Sequence, residues 1–170
     1  MRILDCTLRD GGYYTHWDFN KELVRLYLET MAQLPVDYIE LGYRSIPQST
    51  YEGEYCYLPI DTLRFCKSYS QNKKLSVMIN SKDVDEKTVV DLLCPCCGYI
   101  DMVRIATRPT ELSKAHSLAR IVKHMGFTVC LNVMYMSTWK QINGFYDDLS
   151  QLDGVVDYIC MVDSYGSVLP

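Results

Sequence analysis

Six short apolar runs rich in β-branched residues, at 3–8, 38–42, 75–80, 100–106, 129–135 and 158–163, alternate with stretches patterned as amphipathic helices. This alternation constrains the fold more than any other feature, because strand–helix–strand repetition implies parallel neighbours joined by right-handed crossovers. Leu23, Tyr27, Met31 and Leu34 recur at helical spacing behind Asp18 or Asn20 as caps. Asp83 with Glu86 reads as a capping box, and Pro59 suits a first helical turn. Thr110 is expected to cap a helix carrying Leu112, Ala115, Ala119 and Val122, with Gly126 just past its end. Ser137 or Thr138 is expected to cap another, with Ile142, Phe145, Leu149 and Leu152 inward and Gly154 closing it.

The units echo one another. Val36-Asp37-Tyr38-Ile39, Cys97-Gly98-Tyr99-Ile100 and Val156-Asp157-Tyr158-Ile159 each lead into a strand, two βα units apart. A unit of about 30 residues repeated eight times makes the usual (β/α)8 TIM barrel of ~250 residues. The expectation is an α/β chain holding about six of those units, a single truncated barrel domain over 1–170. The irregular stretch 44–58 follows strand two, at the end where barrel loops cover active sites. A doubly wound sheet also alternates strands and helices. Against it, Arg9-Asp10-Gly11-Gly12 lacks phosphate-loop spacing and carries an acid where a phosphate would sit.

Composition narrows the partners. A net charge of −4 with no basic run argues against a nucleic-acid surface. No apolar run approaches membrane-spanning length, and the opening carries an acid at Asp5, so no membrane partner is expected. Eight cysteines without an export signal read as reduced thiols in the cytoplasm. Cys94-Pro95-Cys96-Cys97 has no second pair at zinc-ribbon spacing, so it and Cys130 and Cys160 read as packing residues.

Chemistry concentrates at the strand ends. Strand period places Asp5, Thr7 and Arg9 on one face of strand one, with Asp10 just beyond. Glu40, Asn80, Arg104, Asn132 and Asp163 occupy the same kind of position on strands two to six, flanked by apolar residues of opposite parity. Burying so many polar groups costs free energy unless they pair with one another, a metal or a substrate. Asp5 and Thr7 are read as a buried hydrogen-bonded pair supporting strand one, and the remainder as a site.

Asp5-Cys6-Thr7-Leu8-Arg9-Asp10-Gly11-Gly12, followed by Ile39-Glu40-Leu41-Gly42, resembles the DRE-TIM metallolyase superfamily. Its members include 4-hydroxy-2-oxovalerate aldolases, hydroxymethylglutaryl-CoA lyases and isopropylmalate synthases. The stretch 103–111 is most similar to the oxovalerate aldolases, and Val162-Asp163-Ser164-Tyr165-Gly166 resembles the superfamily's strand-six motif.

The resemblance implies a lyase acting next to a 2-oxo acid through an enolate, with a small oxo acid or hydroxy-oxo acid as substrate. It makes Asp10 a ligand to Mn2+ or Mg2+, Arg9 the enolate-stabilising cation, and Glu40 the partner that orients Arg9. Asn80, Arg104, Asn132 and Asp163 would bind substrate. The superfamily's other ligands, a His-x-His pair on strand seven, have no counterpart among His16, His116 and His124. The metal site would thus be completed by ligands absent from this chain, leaving it inactive alone. His116 and His124 fall on the fourth helix, facing solvent. The oxovalerate aldolases carry a histidine where this sequence has Tyr13, so Tyr13, Tyr14 or His16 is expected to replace that base. The alternatives are a Claisen-type acyl-CoA synthase and a non-catalytic relic. Strands one and six would be unprotected edges, so a homo-oligomer through the open side of the barrel is expected.

Overall fold

A computed structural model describes residues 2–166. Their six strands form one sheet in the sequential order β1-β2-β3-β4-β5-β6. The strands are β1 (Leu4–Asp5), β2 (Tyr38–Tyr43), β3 (Lys74–Asn80), β4 (Met102–Thr107), β5 (Thr128–Val133) and β6 (Tyr158–Met161). The helices are α1 (Thr7–Thr15), α2 (Lys21–Gln33), α3 (Glu54–Tyr57), α4 (Ile60–Tyr69), α5 (Glu86–Leu93), α6 (Leu112–His124) and α7 (Phe145–Ser150). β1 pairs with β2, β2 with β3, and β5 with β6, each in parallel. Sequential order belongs to the βα units of a (β/α)8 barrel; a doubly wound sheet breaks it where the winding reverses. Five such units and a sixth strand are present among the described residues, in the order the alternation predicts.

The chain divides into two compact units, one built on 1–78 with 91–102 and the other on 79–90 with 103–170. Val24, Leu28, Ile39, Leu41, Leu63 and Leu75 form the core of the first. Val103, Ile105, Ala115, Ala119, Val122, Val129 and Leu131 form that of the second. Every residue of β2 and of β4 is buried. Polar residues on those strands therefore must find partners.

One expectation is corrected at the amino terminus. The first strand ends at Asp5, and Arg9 and Asp10 lie on α1 rather than at a strand end. The Asp5 carboxylate accepts the Thr7 N–H at 3.0 Å and the Thr7 hydroxyl at 3.1 Å, turning the chain at Cys6. The Tyr27 hydroxyl also donates to Asp5. Asp5 and Thr7 are a hydrogen-bonded pair as expected, but Thr7 is exposed and its work is to end the strand.

Other helix details shift. Asn20 caps α2 through the N–H groups of Glu22 and Leu23, while the inward face is Val24 and Leu28, and Leu23 and Leu34 are exposed. The cap of α5 is Asp85, which accepts the Thr88 N–H at 2.7 Å, rather than Asp83. A 3₁₀ turn over Pro109–Glu111 leads into α6, so Thr110 caps nothing. The helix expected after β5 splits into a 3₁₀ stretch, Met136–Gln141, and α7, which follows Gly144 at φ 75°.

The echo seen in the sequence has a structural cause. Asp37, Asp101 and Asp157 each sit one residue before β2, β4 or β6. Each carboxylate accepts a backbone N–H within one residue of the start of the preceding strand: Ile3 at 2.8 Å, Leu75 at 2.9 Å and Val129 at 2.8 Å. Each also has a basic partner, respectively Arg2 at 2.7 Å, Lys67 at 3.5 Å and Lys123 at 2.5 Å. The true alignment thus sets Ile100-Asp101-Met102, not Gly98-Tyr99, against Val36-Asp37-Tyr38. These bonds fix the start of every second strand.

Candidate active site

In the first unit α1 lays its side chains against β2. Arg9 donates from Nε to Glu40 Oε1 at 2.8 Å, and its Nη1 lies 2.5 Å from Asp10 Oδ1. Glu40 is fully buried, whereas the Asp10 side chain is 57% exposed. Burial alone would pull the Arg9 guanidinium down. The hydrogen bond and charge of Glu40, with the charge of Asp10, outweigh it and hold Arg9 above its ordinary value. The result is a permanent cation in a largely dry setting, next to a carboxylate open to solvent.

Arg9 is held from its backbone side too. Trp17 Nε1 donates to the Arg9 carbonyl at 3.2 Å. His16 and Trp17 both adopt left-handed backbone, with φ of 53° and 54°. Two consecutive non-glycine residues in that region are strained, so the surroundings must impose the turn. Gly12 makes room for it, since a Cβ there would stand 2.1 Å from the Trp17 ring. Loop 44–58 secures it from outside: Gly53 N–H donates to His16 O at 2.6 Å and Tyr55 N–H to Trp17 O at 3.0 Å. The loop expected over the site is therefore the clamp on the turn that follows Arg9.

Tyr13 and Tyr43 meet hydroxyl to hydroxyl at 2.7 Å, both edge-on to the Trp17 ring. Tyr43 is buried at the end of β2, while Tyr13 is 59% exposed. Burial, then the hydrogen bond with Tyr13, pushes the Tyr43 phenol well above its usual range. His16 points away: its side chain is 83% exposed, with Nδ1 3.4 Å from Glu52 Oε2. Ser76 is the register partner of Glu40 on β3, and its buried hydroxyl makes no hydrogen bond. Sequence reasoning did not single out Tyr43, Trp17 or Ser76. Tyr43 lies three residues past Glu40, across a register shift in β2, so strand parity alone could not place it beside the acid.

In the second unit Arg104 on β4 donates from Nη2 to Asn132 Oδ1 on β5 at 2.6 Å, and both residues are buried. Cys130 and Cys160 share the Asn132 face, with their sulfurs 3.4 Å apart. Cys130 is buried, as expected of a packing residue, and Cys160 is half-buried, and the register of β5 with β6 sets both on the face that carries Asn132. The contact with Cys160, then burial, raises the Cys130 thiol far above its ordinary value. Asn80 ends β3 half-buried, and Asp163 follows β6, also half-buried. The predicted residues thus fall into two local groups, Arg9–Asp10–Glu40–Tyr13 and Arg104–Asn132. Cys96 is buried, whereas Cys94 and Cys97 are exposed.

Among the described residues no group of three His, Cys, Asp or Glu side chains is placed to hold a metal ion. The local donor set is the single Asp10 carboxylate, a hard oxygen that suits Mn2+ or Mg2+ but does not complete a site. No helix among the described residues is long and apolar enough to cross a membrane.

No family model matches the sequence. Over 182 residues the chain is 24% identical to a 4-hydroxy-2-oxovalerate aldolase of Bacillus cereus, covering 100% of this chain and 50% of the relative. Over 169 residues it is 21% identical to an oxaloacetate decarboxylase of Mycobacterium tuberculosis, covering 99% and 49%. It spans about half the length of both curated relatives. Among solved structures, the N-terminal domain of a proposed aldolase from Bacteroides vulgatus superposes with a TM-score of 0.97 at 46% identity, over 100% of this chain and 56% of that one. The carboxyl transferase domain of Rhizobium etli pyruvate carboxylase, solved with pyruvate, gives a TM-score of 0.72 at 12% identity, over 100% and 32%, a likeness of fold alone.

Proposed function

We propose that this chain, whose motif, fold and relatives fit the DRE-TIM metallolyase superfamily, forms part of a metal-dependent lyase acting next to a 2-oxo acid. The reaction makes or breaks a C–C bond through an enolate, on a small oxo acid or hydroxy-oxo acid. The observation that carries this reading is the Arg9 guanidinium, held at 2.8 Å by a fully buried Glu40 beside the open Asp10 carboxylate. A fixed cation in a dry site stabilises negative charge that develops on a substrate oxygen, which is what enolate formation requires. Glu40 aims Arg9, and the Trp17 indole and the loop clamp keep it from following the substrate. Asp10 would be one ligand of a divalent metal, which when bound supplies Lewis acidity toward the keto and carboxylate oxygens. For Arg104 and Asn132, and for Asn80 and Asp163, substrate binding is proposed from the resemblance alone. The relatives named as an aldolase and an oxaloacetate decarboxylase share an enolate of a 2-oxo acid, so both reactions are consistent with one site.

The test is turnover by the full-length protein, loaded with Mn2+ or Mg2+, of a 4-hydroxy-2-oxo acid and of oxaloacetate, following pyruvate release. Release from at least one of them is expected. Release from neither, in a folded and metal-loaded protein, would contradict the reading.

A further inference from the structure

We propose that Tyr13 and Tyr43 work as one acid–base unit in which Tyr13 exchanges a proton with the substrate carbon and Tyr43, a positioning residue, donates a hydrogen bond from its hydroxyl to the Tyr13 oxygen. The inference rests on the enolate reading above and names the proton donor that reading lacks.

Geometry carries it. The two hydroxyls lie 2.7 Å apart, the distance of a well-formed O–H···O hydrogen bond. Tyr43 is anchored on β2 three residues after Glu40, and Tyr13 on α1 four residues after Arg9, so the elements that hold the ion pair also hold the phenol pair. The Trp17 ring touches both phenols edge-on, at 4.8 Å and 5.7 Å between centroids, while its N–H holds the Arg9 carbonyl. The charged groups facing Tyr43 are Arg9 and Glu40, of opposite sign.

The two environments divide the roles. The Tyr43 hydroxyl is buried against that of Tyr13, so its O–H is directed at the Tyr13 oxygen, while the exposed Tyr13 O–H is left to face solvent. Tyr13 is open to solvent and is the member able to trade protons with substrate and water. In the step itself the enolate carbon takes the Tyr13 hydroxyl proton. A C–H bond forms as that O–H bond breaks, and the negative charge passes from the enolate to the Tyr13 oxygen. The Tyr43 O–H, and at longer range the Arg9 cation, hold that phenolate until water returns a proton and leaves as hydroxide. His16, the other expected candidate, has its side chain directed at Glu52 and no contact with this pair.

The test uses the full-length protein with Mn2+ in D2O, following exchange of the methyl protons of pyruvate by NMR. Tyr13→Phe and Tyr43→Phe should each slow exchange by ~10²-fold, the usual scale of general acid–base catalysis, with KM unchanged. Tyr146→Phe, on an exposed α7 residue, should leave the rate alone. A second readout needs no turnover: the Tyr43 hydroxyl proton, protected by its bond to Tyr13, should be visible by NMR and vanish in Tyr13→Phe. Exchange at the parent rate in Tyr43→Phe, or a rise in KM with no fall in kcat, would overturn the proposal. A hydroxyl signal indifferent to Tyr13 would overturn the donor assignment. Absence of exchange in the unmodified protein with the hydroxyl coupling intact would instead sink the oxo-acid reading, and the catalytic role with it.

Discussion

Glu40 accepts the Nε–H of Arg9 at 2.8 Å from a position with no solvent exposure, so the cation beside Asp10 is aimed by a carboxylate that water does not reach. Such a pair sets geometry more than it adds stability, because desolvation offsets most of the Coulomb attraction. Removing one partner is another matter. Glu40→Gln leaves the guanidinium facing a neutral amide and should lower unfolding free energy by ~3 kcal/mol, read from denaturant midpoints. Adding Arg9→Met should return part of the loss, and a double variant no better than the single one would show that the pair is not coupled.

Acid should loosen the strand starts. Asp37 is held below the usual carboxylate range by the Ile3 N–H and then Arg2. For Asp157 burial works the other way, but Lys123 and the Val129 N–H outweigh it and leave the carboxyl low. A depressed carboxylate contributes stability that is fully present above the unfolded value of about 3.9 and lost as pH falls through the folded one. Thermal midpoints should therefore be flat from neutrality to about pH 5 and fall below it. Asp157→Asn should make that fall shallower; an unchanged acid profile would show that these bonds do not set it.

How much of this was legible depended on the range of the interaction. Strand order, the Asn20 cap and the turn at Gly126 follow from local pattern, and the structure has them. The end of β1 was missed because two bonds from Asp5 to Thr7 turn a chain that apolar alternation would have continued. The α2 face was read one residue out of phase, since Leu23 and Val24 are equally apolar and only packing chooses between them. The Asp echo was seen but misaligned, because Tyr-Ile recurs at 99–100 while the working residue is Asp101. Tyr43, Trp17 and Ser76 carry no motif; their place is set by contacts between elements.

The clamp on the turn after α1 should be sensitive to one methyl group. A Cβ at residue 53 would lie 2.1 Å from the Trp17 carbonyl carbon, and backbone cannot yield as a side-chain tip does. Gly53→Ala should cost ~1–3 kcal/mol and open loop 44–58 to limited proteolysis. Wild-type resistance in that variant would show the loop to be held elsewhere.

β6 presents Tyr158, Ile159 and Met161 to solvent, the last at 66% exposure. A strand so apolar and unblunted invites pairing with another chain. The 170-residue chain should sediment as a dimer or larger species, and Met161→Lys should shift it toward monomer. A monomer at high concentration before any substitution would contradict this.

The central claim is that Arg9 stabilises an enolate while Asp10 serves the metal, and one paired measurement separates the two roles. In the full-length protein, Arg9→Ala should lower kcat for pyruvate release by ~10²–10³-fold, the scale of losing one preorganised charge donor, while calorimetric Mn2+ affinity stays near wild type. Asp10→Asn should weaken Mn2+ binding and turnover together. Turnover surviving Arg9→Ala, or metal affinity untouched by Asp10→Asn, would contradict the account.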